Sequence, residues 1–255
     1  MNRFLAAAQF LTSIPLPGQR QIPAEDVGRS TVYFPVVGLV IGLVLAALNW
    51  ILRLVLPSAV VNALLLAFLV MVTGALHLDG FADTCDGIAG HKSVEERWQV
   101  MRDSRVGAFG VIGIVLLLLA KYASLNSLSV SLIVPALIFM PVVSRWAMTY
   151  AIFAYPYARP SGLGTVFKQG ASRPGLIMAT VITLAVALAL LPLWQLTGLA
   201  VMFGVWLITM LLAAYLKRKF SGLTGDNYGA INEVAEAGSL IIVTMLGRLG
   251  LPWLW

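Results

Sequence analysis

Apolar runs long enough to cross a bilayer recur along this chain, at about 32–55, 59–78, 108–126, 131–153, 175–194, 198–215 and 238–254. Each is close to the roughly 20 residues that a hydrocarbon core demands. In such a medium every backbone polar group must be satisfied within the segment, so the runs can only be helices. The sequence therefore predicts an all-α, polytopic integral membrane bundle of about seven transmembrane helices, forming one membrane-embedded domain over 1–255. Residues 1–14 are too short to span and read as an interfacial or packed N-terminal amphipathic helix. Arg248 interrupts the last run and makes it the least regular. Only 11% of the 255 residues are charged, against about 25% in a soluble domain. The single cysteine, Cys85, excludes an intrachain disulfide and a cysteine-rich metal site.

Charge gives the runs a direction. The N-terminus and the segments 79–107, 154–174 and 216–237 carry 13 of the 17 basic residues, whereas the short connections near 56–58, 127–130 and 195–197 carry none. The positive-inside rule places the rich segments in the cytoplasm. A net charge of +6 is accounted for in this way and points away from nucleic acid. All 11 acids lie on that same side, which the rule does not require. They mark one cytoplasm-facing site.

Three segments carry the chemistry. In HLDGFADTCDG, residues 77–87, the carboxylates Asp79, Asp83 and Asp86 are spaced i, i+4, i+7 and fall within an arc of about 60° on a helix. Such a stripe calls for a positive counterpart, usually a divalent cation held by oxygen ligands. In GLTGDNYGAINEVAE, residues 222–236, Asp226, Glu233 and Glu236 lie within roughly 80°. Two facing acidic stripes make a site for one or two Mg²⁺ ions, with Asp79, Asp83, Asp86, Asp226 and Glu233 in the shell and Asp103 and Glu236 nearby. In MRDSRVGAFG, residues 101–110, Arg102 and Arg105 can fork onto phosphate oxygens, and Gly107 bares backbone amides at a helix start. Arg145, roughly 12 Å inside a span, needs a carboxylate or phosphate partner. Arg159 and Lys168 add two cations in an acid-free loop that suits a phosphate ligand. Lys121 and Arg53 read as snorkelling residues, His77 as a packed neighbour of the site, and the tryptophans near 50, 194, 253 and 255 as an outer interfacial belt.

These motifs, in this order with YARPSGLG at 157–164 and the opening AAAQFLTSIPLP and YFPVVGLVIG, resemble the cobalamin synthase family of adenosylcobinamide-GDP ribazoletransferases. The resemblance covers most of the chain. It implies a Mg²⁺-dependent enzyme of the bacterial inner membrane, with its site facing the cytoplasm. That enzyme joins adenosylcobinamide-GDP to α-ribazole or α-ribazole 5′-phosphate, and GMP leaves. A second copy of the chain, or other late enzymes of cobalamin synthesis, are the implied partners besides the lipid bilayer. Asp86 is then the expected base, with Asp83 and Arg105 also catalytic. Arg102, Arg105, Arg145, Arg159, Lys168 and Gly107 are the expected substrate contacts.

Two other diphosphate chemistries fit less well. The CDP-alcohol phosphotransferase signature expects an arginine after Ala82 and a further Asp run, and both are missing. The prenyltransferase pattern needs two DxxxD motifs, of which only Asp79/Asp83 is present. A cation-coupled transporter would place ionisable groups at the midplane of repeated halves, whereas here the acids sit on one side.

Overall fold

The computed structural model describes residues 2–15, 23–90 and 92–249. Its elements are α1 (Asn2–Leu11), α2 (Ala24–Gly28), a 3₁₀ turn (Arg29–Tyr33), α3 (Phe34–Leu52), α4 (Ser58–Val72), α5 (Leu76–Ile88), α6 (Val94–Val100), α7 (Ala108–Ser127), α8 (Val130–Ala154), α9 (Leu163–Gly170), α10 (Arg173–Ala189), α11 (Leu191–Trp194), α12 (Thr197–Phe220) and α13 (Gly225–Leu249). Among the described residues, five helical segments are long and apolar enough to cross a membrane, and the number rises to seven if each of two bent pairs counts as one span. The protein is a multi-pass helical bundle, as the apolar runs predict.

Helix α8 is its axis. Nineteen of its residues are buried, from Leu132 to Ile152, and α3, α10, α12 and α13 pack around it. Gly38 and Gly42 of α3 let the two backbones touch: a Cβ at either would lie 2.3–2.4 Å from the carbonyl oxygens of Pro141 and Ile138. Small residues one turn apart are the usual device for close packing in lipid, where apolar burial by itself does not drive helices together.

Two spans are broken. Helices α4 and α5 meet at 89° and α9 and α10 at 91°. The first break falls at Gly74 and Ala75, which both adopt left-handed backbone (φ 59° and 56°) and end the α4 ladder. The carbonyls freed there are not left bare in an apolar setting. Ser13, just past α1, donates its amide to Val72 O (2.8 Å) and its hydroxyl to Met71 O (2.8 Å). The N-terminal helix is thus packed on the bundle, with Ala6, Ala7 and Leu11 buried, and its outgoing segment closes the broken span.

The last span differs from expectation. The segment 216–237 is not a loop: α12 runs to Phe220, a four-residue turn follows, and α13 is helical from Gly225. Ser221 and Gly222 have positive φ (60° and 142°), and a Cβ at Gly222 would stand 2.8 Å from Ala158 N. The turn is thereby clipped to the 155–162 loop through Ala158 N→Leu223 O and Leu223 N→Pro156 O, both 2.8 Å. Glu233 and Glu236 consequently lie two to three turns inside the bundle. Residues 250–254 of the predicted seventh span, with Trp253, Trp255 and Arg20, lie outside the described residues. Trp50 is exposed, as an outer belt requires, but Trp194 is buried edge-on against Phe139 (5.5 Å between centroids) and serves the core.

Candidate active site

The site forms where α5 crosses α13. Gly80 has no side chain because a Cβ there would lie 2.9 Å from Asp226 O, and Gly229 sits equally close to the His77 backbone. The crossing is pinned by Asn227, whose Nδ2 donates to Thr84 Oγ1 (3.1 Å) while its Oδ1 accepts from Thr224 N (3.0 Å). Thr224 Oγ1 accepts in turn from Asn227 N (3.2 Å) and so caps α13. This close approach sets Asp226 against the Asp79 and Asp83 stripe. Asp83 is half-buried and feels Asp226, Asp79 and Asp86 as like charges, with Arg159 as the one cation acting on it. Arg159 donates to Asp226 Oδ2 (3.2 Å), and Thr224 Oγ1 donates to the same oxygen (3.4 Å). A single guanidinium therefore serves a group of carboxylates that exceeds it in charge.

The other acids of the predicted shell are elsewhere. Asp86 is buried, and both its oxygens are taken by the start of α7: Gly107 N donates to Oδ2 (2.7 Å) and Gly110 N to Oδ1 (2.9 Å). A Cβ at Gly107 or Gly110 would lie 2.4 or 2.5 Å from those same oxygens. The helix N-terminus that reads as a phosphate site is filled by this chain's own carboxylate, the anion that its amides and dipole favour. In this arrangement Asp86, expected as a base or ligand, and Gly107, expected as a phosphate contact, together form a helix cap.

Glu233 and Glu236, expected in or near the metal shell, are ion-paired inside the bundle. Lys121 Nζ donates to Glu233 Oε2 and Glu236 Oε2, both at 2.6 Å, and Arg145 Nη1 pairs with Glu236 Oε1. All four side chains are buried. Two cations against two carboxylates leave no net charge for a metal to balance. Arg145 has found the carboxylate partner that its depth demands, but Lys121 does not snorkel. The cost of a charge in an apolar span applies to Lys121 as it does to Arg145, and that was the signal for this pair.

Several predicted phosphate contacts also have structural duties. Lys168 Nζ donates to Ile152 O (3.0 Å) and Phe153 O (2.7 Å) and caps the end of α8. Arg97, which sequence reading counted only as a cytoplasmic charge, is buried and donates to Gly87 O, Ile88 O and Gly90 O (2.6, 2.8 and 3.3 Å), capping α5 with help from Lys92. Arg102 and Arg105 remain exposed. Arg105 forks onto Asp103 (3.0 and 2.7 Å), which holds that carboxyl down at about 2. Asp103 is therefore a partner of Arg105 and stands apart from the acid stripe.

Two recesses flank that stripe. On one side lies an open cleft of about 610 Å³ bordered by Asp86, Lys92, Asp103 and Arg105. On the other lies a narrower cavity of about 170 Å³ under Asp79 and Asp226, with apolar walls from α1, α8 and α9. Asp83 lies between Asp79 and Asp86 on the same helical stripe.

Among the described residues no three His, Cys, Asp or Glu side chains converge tightly enough to hold one metal ion as they stand. The donor chemistry nevertheless fits a hard divalent cation. The carboxylates of Asp79 and Asp83 show no hydrogen bond or ion pair among the described residues, Asp226 adds a third carboxylate across a glycine contact, and all the donors are oxygen.

A family model described as cobalamin-5-phosphate synthase matches residues 3–244. The chain is 40% identical over 247 residues to an adenosylcobinamide-GDP ribazoletransferase of Geotalea daltonii, covering 97% of this chain and 98% of that protein. It is 39% identical over 240 residues to the Roseiflexus sp. protein of the same name (94% and 88% covered), and 35% identical over 246 residues to one from Clostridium botulinum strain Okra (96% and 98%). No solved structure matches the chain.

Proposed function

The chain belongs to the cobalamin-5-phosphate synthase family and is a membrane-embedded transferase of cobalamin synthesis, and on that premise we propose that it moves the phosphocobinamide unit of adenosylcobinamide-GDP onto α-ribazole or its 5′-phosphate. A ribose hydroxyl of the acceptor that is free in both forms, and so not the 5′ one, forms a bond through its oxygen to the phosphorus next to cobinamide. The bond from that phosphorus to the bridging oxygen breaks, its electron pair stays with GMP, and the acceptor's proton passes to a carboxylate. Breaking a diphosphate in this way demands charge neutralisation and positioning more than covalent catalysis.

The observation that carries the reading is the under-compensated carboxylate group at the α5–α13 crossing. Asp79, Asp83 and Asp226 would hold Mg²⁺, which when bound would neutralise the diphosphate. Arg159, attached to Asp226, reaches the same space. Arg105 and Lys92 border the open side and supply cations for the donor's phosphates, and Arg102 is exposed in the same segment. Asp79 and Asp83 are the carboxylates left free to take the acceptor's proton. The basic segments around this site support a site on the cytoplasmic side of a bacterial inner membrane.

The test is GMP release by the purified full-length chain in nanodiscs, given adenosylcobinamide-GDP and α-ribazole with and without Mg²⁺. Release should require both acceptor and metal, and chelation should stop it reversibly. GMP formation that continues unchanged after chelation would remove the metal from the proposal.

A further inference from the structure

We propose that the narrow cavity under Asp79 and Asp226 is the subsite for the planar aromatic base of the acceptor, a proposal that rests on the transferase reading above. Its walls are apolar, from Phe10, Met148, Ile152 and Phe167, and the two carboxylates stand at its edge. Phe10 and Phe167 hold each other at 4.6 Å between ring centroids, so the wall is a fixed aromatic surface.

Size and polarity select the occupant. A cavity of about 150 Å³ lined by Leu, Ile and Phe takes up benzene, so 170 Å³ accommodates a small ring system. A corrin ring is far too large for it. Guanine fits by size, but its edge carries several donors and acceptors that would all need partners. The walls offer few: Tyr228 and His77 line the cavity, and both are buried with a hydroxyl and two ring nitrogens that have no hydrogen-bond partner. The base of ribazole is a benzimidazole, flat and apolar, with one unsubstituted ring nitrogen that accepts one hydrogen bond. The Tyr228 hydroxyl is the donor we assign to it. With the base seated here, its ribose would extend toward Asp79 and Asp226. The donor's phosphates would approach from the basic cleft on the other side of Asp83. The two substrates then meet across the carboxylates instead of competing for one recess.

The experiment compares wild type with Leu163→Trp, Met148→Phe and Tyr228→Phe, each as full-length chain in nanodiscs. Leu163 borders the cavity but is 61% exposed, so a larger side chain there is tolerated by the fold. Two quantities are read: α-ribazole binding by calorimetry without donor, and KM for each substrate during transfer. The two filling variants should weaken α-ribazole binding and raise its KM about tenfold or more, leaving the donor KM alone. Tyr228→Phe should raise the acceptor KM by a smaller factor. A rise in the donor KM instead, or no change in either, overturns the subsite. If wild type binds α-ribazole, Leu163→Trp weakens that binding and yet no transfer occurs with any variant, the subsite stands and the transferase reading fails.

Discussion

Helix α13 carries acids into two regions that behave in opposite ways. At its first turn Asp226 faces Asp79 and Asp83 with one arginine among them; two turns further in, Glu233 and Glu236 are closed around Lys121 and Arg145. Both groups are one-sided acidic stripes in the sequence. What separates them is who supplies the positive charge. Inside the bundle it comes from neighbouring spans, because a bare carboxylate in an apolar interior is prohibitively costly. At the α5–α13 crossing it is left mostly to something that binds. One region therefore holds the helices together, and the other is the proposed place of the chemistry.

The most damaging way to break that contrast is Glu236→Ala, which leaves Lys121 sharing one carboxylate and Arg145 buried without its acid. Removing one member of a buried ion pair costs about 3–5 kcal/mol. Thermal unfolding in detergent should show a large loss of stability, with activity falling because the bundle loosens. Glu236→Gln should be milder on packing yet still destabilising. Unchanged melting for both variants would mean that the buried group is dispensable.

Asp79→Asn is the mirror experiment. It should leave the melting temperature near that of wild type, because the carboxylate has no partner to lose among the described residues, while turnover falls by about 10²–10³-fold, a loss comparable with removing one electrostatic stabiliser from an active site. The Mg²⁺ concentration for half-maximal rate should also rise. A variant that unfolds as readily as Glu236→Ala would place Asp79 in the structural class.

Asp86→Ala sharpens the boundary. It removes the cap of α7 and leaves two backbone amides without acceptors, at a cost of about 1.5–3 kcal/mol for hydrogen bonds to a charged group. Stability should drop measurably, and Mg²⁺ dependence should not move. If kcat collapses instead while the melting temperature holds, Asp86 belongs with Asp79 after all.

The smallest effect concerns the exposed Asp103–Arg105 fork. Arg105 lowers the Asp103 carboxyl from 3.8 to about 2. A depressed carboxylate contributes stability that is present above about pH 4 and is lost as pH falls toward 2. For so exposed a pair that contribution is minor. In Arg105→Ala the carboxyl should titrate higher by NMR, held only partly down by the residue-105 amide that remains, with melting at pH 7 unchanged. An Asp103 midpoint that stays near 2 would mean that Arg105 is not its partner.

Much of this was legible in the residues themselves. The apolar runs fix an all-helical membrane bundle, because no other backbone satisfies its own hydrogen bonds in lipid. The spacing of Asp79 and Asp83 marks a one-sided carboxylate stripe on a helix. The depth of Arg145 announces an acidic partner. The partners themselves were not legible. Periodicity puts Asp86 on the same face as Asp79, but it does not say that the start of α7, over twenty residues away, turns its amides onto Asp86. Nor does the tally of cytoplasmic cations reveal that Lys168 and Arg97 are spent on the ends of α8 and α5. The break at Gly74–Ala75, hidden inside one apolar run, decides where α5 points.

The sequence by itself determined the solvent, the secondary structure and the side on which charge gathers, since these follow from local transfer energies and helix period. Only the tertiary structure decided which charges are answered from within. Compensation depends on side chains brought together from distant helices, such as Lys121 and Glu233, and distance in space is not a function of distance along the chain.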